Sequence, residues 1–189
     1  ITSWADARAL GIGPRIALFL EVARAVHHAH TRLVIHRDLT PSNVLVERTA
    51  STVKLLDFGI AKLLDAEEDH PAATLAFTRW MTPPYASPEQ ILGQPVTTAT
   101  DVYGLGVLLY ELLTGRRPFE RQGRSEFEVG RAICEEVPRL PSAVVSAPGS
   151  GARAEGGTDA ADPHALARAR GTTPERLGRE LAGDLDAIV

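Results

Sequence analysis

The stretch His36 to Val46, HRDLTPSNVLV, joins a polar loop to the start of an apolar strand. It sets a carboxylate, Asp38, five residues before a carboxamide, Asn43, with the hydroxyl of Thr40 between them. A short apolar run, Leu33 to Ile35, leads into it. Val44-Leu45-Val46 and Val53 to Leu56 read as two short strands, and the polar Glu47 to Thr52 between them predicts a hairpin. The returning strand would bring Asp57 back beside Asn43, 14 residues earlier in the chain.

The flanks are mostly helical in pattern. After Gly13-Pro14, the residues Ile16, Phe19, Leu20, Ala23 and Val26 recur at helical spacing and predict a helix over Pro14 to His30. Asp57 to Glu89 is long and irregular, rich in proline, with an acidic patch from Asp65 to Asp69 read as solvated. Asp101 to Thr114 is apolar around most of its circumference and is expected to be a buried central helix. Asp101 is expected to cap it, and Gly115 to terminate it. A weaker helix is expected over Glu126 to Glu136, a flexible linker over 141–165, and a last helical region from Pro174 to Val189. No internal repeat is visible.

Composition excludes some classes. The chain has 189 residues, 44% of them hydrophobic, enough for one sizeable core or one large lobe of a larger domain. A net charge of -4 argues against a nucleic-acid surface. The lone Cys134 allows no internal disulfide, suits a reducing, cytoplasmic setting, and is read as a small buried apolar residue. The apolar run Val102 to Leu113 is too short to span a bilayer and contains Glu111, so no membrane contact is expected here. Because the chain starts at Ile1 and stops at Val189 inside an apolar pattern, it is expected to be a fragment.

Asp38, Asn43 and Asp57 suit phosphoryl transfer. That chemistry needs a carboxylate to orient and deprotonate the attacking hydroxyl, and hard oxygen ligands for Mg²⁺ on the phosphates. Asp38 is the candidate base, Asn43 and Asp57 the candidate metal ligands. His27, His28 and His30 with His36 suggest a metal cluster, but no cysteine or carboxylate set completes one, so helix-end roles are preferred.

HRDLTPSNVLV, followed by Asp57-Phe58-Gly59 and by Ser87-Pro88-Glu89, resembles the eukaryotic-type protein kinases, and the stretch TPPYASPEQILGQPVTTATDVYGLGVLLYELLTGRRPF is similar to bacterial serine/threonine kinases of that type. The resemblance implies an α+β, mostly α, protein-kinase-like fold. Only its larger C-terminal lobe would be present, with the N-terminal lobe absent. Residues 36–46 would be the catalytic loop, 57–89 the activation segment and 101–114 the central helix. ATP and Mg²⁺ would be the cofactors, and a protein Ser/Thr acceptor the substrate.

Carried over residue by residue, the resemblance makes Asp38 the base and gives Mg²⁺ to Asn43 and Asp57. It sets Leu45 under the adenine and packs His36 on Phe58. Arg37 would receive an activation-segment phosphate, Thr74 and Thr78 would be candidate phosphorylation sites, and Thr82 would line the acceptor pocket. Asp101 would brace the catalytic loop, and Glu89 would pair with an arginine outside this chain.

Two departures stand out. The family's Ser/Thr members usually carry lysine where this chain has Thr40. Replacing a charge-assisted hydrogen bond by a neutral one costs about 10- to 150-fold in rate. The chain also lacks a glycine-rich phosphate loop and a strand lysine, so by itself it is expected to be inactive. The competing readings are a regulatory pseudokinase and a small-molecule phosphotransferase sharing the HxDxxxxN loop. Arg37, Asp57-Phe58-Gly59 and the Ser-Pro-Glu segment stand against the second.

Overall fold

A computed structural model describes residues 1–47, 52–58, 83–120, 123–146 and 162–189. Nine α-helices and two strands are formed there, besides two short 3-10 turns at Pro41–Asn43 and Pro83–Tyr85: α1 (Thr2–Ala7), α2 (Ile12–His30), β1 (Val44–Val46), β2 (Val53–Leu55), α3 (Pro88–Ile91), α4 (Thr98–Thr114), α5 (Glu126–Glu135), α6 (Pro141–Ser146), α7 (Pro163–Arg168), α8 (Pro174–Leu181) and α9 (Asp184–Ile188). The two strands pair antiparallel, Val44 opposite Leu55 and Val46 opposite Val53. Among the described residues the fold is therefore mostly helical with one small hairpin, as expected.

The central helix is α4. Leu108 and Leu112 pack with Leu18, Val22, Val26, Leu39 and Val44 on one side. Leu109 and Leu113 pack with Ile12, Val145, Leu166 and Leu177 on another. Tyr103, nearer its start, leans on a third cluster of Phe119, Val129 and Ile133. Of its large apolar residues only Val102 is widely exposed, so the expectation of a helix buried around most of its girth holds.

Its cap differs from the expectation. Thr97, not Asp101, is the N-cap: its hydroxyl accepts the Ala99 N–H at 3.2 Å, and Thr100 returns a hydroxyl to the Thr97 N–H. Threonines at 97, 98 and 100 let the helix begin one turn earlier, which leaves the Asp101 carboxylate for another use. Gly115 ends α4 as expected, at φ 69, where a glycine has no Cβ to strain.

The C-terminal carbonyls of α4 are satisfied by two buried arginines. Arg15 Nη1 donates to Leu112 O at 3.1 Å, while Arg170 donates to Leu113 O at 2.5 Å and Leu112 O at 3.2 Å. Cations are favourable at this end of a helix dipole. Asp6, partly exposed, pairs with Arg15 Nη2 at 2.7 Å. Burial, and then the neighbouring Arg15, pull the Arg170 pKa down to about 10, with Asp6 opposing.

The expected linker over 141–165 needs correction at both ends. Pro141–Ser146 forms α6 with Val144 and Val145 buried, because two adjacent valines find an apolar seat beside α8. Asp162 caps α7 by accepting the His164 N–H at 3.0 Å. Residues 147–161 lie outside the described residues. The last helical region is two helices, α8 and α9, separated at Gly183, whose φ is 97. Cys134 is only partly buried. No helix among the described residues is long and apolar enough to cross a membrane.

Candidate active site

The loop after α2 is held from below by the first turn of α4. Asp101 is 1% exposed, and its Oδ2 accepts the His36 N–H at 2.8 Å while Oδ1 accepts the Arg37 N–H at 2.8 Å. Oδ2 also meets His30 Nε2 at 2.7 Å. A carboxylate only accepts, so His30 donates through Nε2–H. Arg37 sits at φ 69, a left-handed conformation that an arginine does not adopt without support. Asp101 is thus the brace that the resemblance implied.

His36 ties this loop to the end of the hairpin. Its ring is fully buried, and Nε2 donates to Leu56 O at 2.9 Å. Burial pushes its pKa below the usual range, against opposing pulls from Asp101, the Leu56 carbonyl and Asp38, so the imidazole is neutral. Nδ1 is buried without a partner among the described residues. The ring packs on Phe58 with centroids 4.7 Å apart and planes tilted by 41°.

Asp38 and Asn43 are joined directly. Asn43 Nδ2 donates to Asp38 O at 2.8 Å and to Asp38 Oδ2 at 3.0 Å. Both partners are acceptors, so the amide nitrogen must face them, which turns Oδ1 away. The Asn43 backbone carbonyl accepts the Leu56 N–H at 2.9 Å. Asp57 is the next residue, so its Cα lies within about 10 Å of the Asn43 Cα by chain geometry. Asp57 has a φ of 50, a second strained residue in the same place.

Other candidates sit as follows. On β1 Val44 is buried and Leu45 half-exposed, the alternation a strand imposes. Thr40 is buried, and its hydroxyl lies 2.7 Å from that of Ser42, a neighbour within its own loop. The Arg37 carbonyl accepts Gln90 Nε2 at 2.8 Å, and the Arg37 Nε is buried without a partner among the described residues. Glu89 accepts the Thr100 hydroxyl at 2.5 Å. Thr74, Thr78 and Thr82 lie outside the described residues, as do Gly59 and the acidic patch.

Some supporting residues escaped the sequence reading. Gln90 closes a capping box with Ser87 and fastens the Ser-Pro-Glu helix to the loop. Ser87 three residues before Gln90 was a visible capping signature. Tyr85 donates to Glu111 at 2.7 Å and pins the segment before α3 to the central helix. Burial raises the Glu111 carboxyl pKa, against the Tyr85 hydrogen bond. His30 reaches Asp101 across 71 residues of sequence, and nothing local signals that.

Among the described residues no three His, Cys, Asp or Glu side chains gather as a metal site. A Mg²⁺ bound largely by water and phosphates needs only one or two protein oxygens. The Asn43 carboxamide oxygen and the Asp57 carboxylate are hard donors of that kind, so the residues fit.

A loop braced by Asp101, stapled to a hairpin end and carrying Asp38 against Asn43 agrees with what similarity finds. The model of the protein kinase domain matches residues 12–147. The chain belongs to the protein kinase domain family. It is 41% identical over 144 residues to the serine/threonine-protein kinase pkn3 of Myxococcus xanthus, covering 72% of this chain and 26% of that protein. To Pkn1 of the same organism it is 38% identical over 182 residues, 95% of this chain and 24% of the relative. To PkaA of Streptomyces coelicolor it is 44% identical over 129 residues, 67% and 23% respectively. This kinase-family chain spans about a quarter of the length of these relatives.

Proposed function

We propose that the protein carrying this chain transfers the γ-phosphate of ATP to serine or threonine hydroxyls of other proteins, and that this chain is the large C-terminal lobe of its kinase domain. The observation that carries the reading is the Asp38–Asn43 pair, fixed to the Leu56 end of the hairpin by the Asn43 carbonyl. The names of the relatives support the acceptor class. The cytoplasm, where ATP is abundant, is the setting that suits this segment.

In this reading Asp38 accepts the proton of the attacking hydroxyl as its oxygen approaches phosphorus. Asn43 holds the Asp38 carboxylate in place through Nδ2 and presents Oδ1 to Mg²⁺, with Asp57 as the other ligand. Bound Mg²⁺ neutralises charge on the phosphates. Leu45, half-exposed on β1, offers an apolar face to the adenine ring. Arg37 is the receiver of a phosphate on the activation segment, with Thr74 and Thr78 as its candidate donors, and Thr82 lines the acceptor pocket. Positioning supplies most of the catalysis, so residues 1–189 alone transfer nothing at ordinary kinase rates.

A regulatory pseudokinase is the second reading, and the Thr40 hydroxyl turned to Ser42 favours it. Purified full-length protein separates the two. With Mg²⁺ and radiolabelled ATP, transfer to casein that is lost in Asp38→Asn supports the enzyme. Nucleotide-dependent partner binding without transfer supports the module.

A further inference from the structure

We propose that Gln90 is a positioning residue for phosphate transfer: its carboxamide ties the segment that leads into the Ser-Pro-Glu helix to the peptide bond that enters Asp38. The effect on rate rests on the kinase reading, while the bonding stands by itself.

Gln90 is 5% exposed, and both ends of its side chain are engaged. Oε1 accepts the Ser87 N–H at 3.0 Å, and Nε2 donates to the Arg37 carbonyl at 2.8 Å. An N–H only donates and a carbonyl only accepts, so a single orientation of the amide satisfies both. The Ser87 hydroxyl accepts the Gln90 N–H at 3.4 Å and completes the capping box. Such a box needs only the oxygen of the side chain, and a glutamate serves it as well as a glutamine. The Nε2 end is therefore surplus to the cap, and it reaches 53 residues back in the chain.

The group it reaches decides its use. The Arg37 carbonyl and the Asp38 N–H belong to one peptide unit, which is planar and stiff. A bond to that carbonyl fixes the plane from which the Asp38 side chain sets out. Asp101 acts one Cα earlier, on the N–H groups of His36 and Arg37. At its other end Gln90 holds Ser87, in the segment that follows Thr82, the proposed lining of the acceptor pocket. That segment is fastened to α4 by Tyr85 on Glu111 at 2.7 Å and by Glu89, which accepts the Thr100 hydroxyl at 2.5 Å. Gln90 fastens it to the loop as well, so the acceptor side and the proposed base keep a fixed relation.

Two substitutions separate the two ends. Gln90→Glu keeps the length and an oxygen for the Ser87 N–H but has no donor for the Arg37 carbonyl. Gln90→Leu loses both. The full-length native protein is compared with these two variants. kcat and KM are measured with Mg²⁺-ATP and casein, amide hydrogen exchange is read over Arg37 to Leu39, and denaturation midpoints are taken.

Gln90→Glu is expected to lower kcat by about 3- to 10-fold, the rate equivalent of one neutral hydrogen bond, with KM for ATP unchanged. Exchange over Arg37 to Leu39 speeds up by a similar factor, without matching change in α4. The denaturation midpoint falls less in Gln90→Glu than in Gln90→Leu, which loses the cap too. If Gln90→Glu does not fold, Gln90→Met takes its place in the kinetic and exchange comparisons.

Native kcat and native exchange in Gln90→Glu would overturn the proposal and leave Gln90 as a helix cap. A raised KM for ATP with native kcat would also overturn it, because the residue would then act on the nucleotide. If the native protein transfers no phosphate, the kinase reading fails, while exchange over Arg37 to Leu39 still decides whether Gln90 holds the loop.

Discussion

Asn43 Nδ2 donates at 3.0 Å to the Asp38 carboxylate and at 2.8 Å to the Asp38 carbonyl, so one carboxamide fixes both the side chain and the backbone of the proposed base. Asn43→Leu removes both bonds and the Oδ1 donor while keeping the volume. It should lower kcat by at least 10- to 150-fold in the full-length protein, the cost of one bond to a charged group, and raise the Mg²⁺ needed for half-maximal rate. Titrating Mg²⁺ against initial rate checks both. An unchanged Mg²⁺ dependence would remove Asn43 from the metal site.

Thr40 is buried and paired with Ser42, so the hydroxyl is engaged within the loop. A lysine there must leave that niche, with its charged head in solvent or on phosphate. Thr40→Lys should raise kcat in the full-length protein by up to about 10- to 150-fold, the bound set by one charge-assisted hydrogen bond. Steady-state kinetics decide it. A fall in kcat would show that the Thr40–Ser42 pair itself supports the loop.

His36 is held neutral by burial, and this has a pH signature. Its folded pKa lies below its ordinary value of 6.5, so the unfolded chain binds the proton more readily. The stability it contributes is present above pH 6.5 and is lost as pH falls towards the folded pKa. His36→Gln keeps an Nε2 donor for Leu56 O but cannot titrate. The native protein should therefore lose more denaturant midpoint than His36→Gln on going from pH 7.5 to about pH 5. Parallel slopes would contradict the assignment.

Gly115 closes α4 at φ 69, and a Cβ there would stand 2.8 Å from Leu166 Cδ1 and 3.0 Å from Arg170 Nη2. Gly115→Ala combines left-handed strain with a clash against the arginine that satisfies the helix end. It should cost about 2–4 kcal/mol, read as a shift in denaturation midpoint. A shift under about 0.5 kcal/mol, the scale of ordinary surface changes, would mean that α7 and Arg170 can retreat freely.

How much of this was legible in the sequence depends on the range of the interaction. The hairpin was, because strand residues and a polar turn are local signals, and with it the approach of Asp57 to Asn43. The apolar girth of α4 was too. The cap was misplaced because Asp101 carries a good capping side chain that the fold spends on two backbone amides 64 and 65 residues away. Arg15 and Arg170, 155 positions apart in the sequence, meet at the end of α4. Nothing local in the sequence around either one signals that contact. The linker was overextended because Ala, Ser and Pro look alike in a loop and in a short helix whose valines find a neighbour.

The central claim is that Asp38 takes the proton of the acceptor hydroxyl, and Asp38→Asn in the full-length protein tests it most directly. ATP affinity and phosphate transfer to casein are measured on the same preparation. The account predicts transfer reduced by at least about 100-fold, the low end of what a general base contributes, with ATP affinity in the presence of Mg²⁺ within about threefold of native, under 1 kcal/mol. Transfer at the native rate would contradict it.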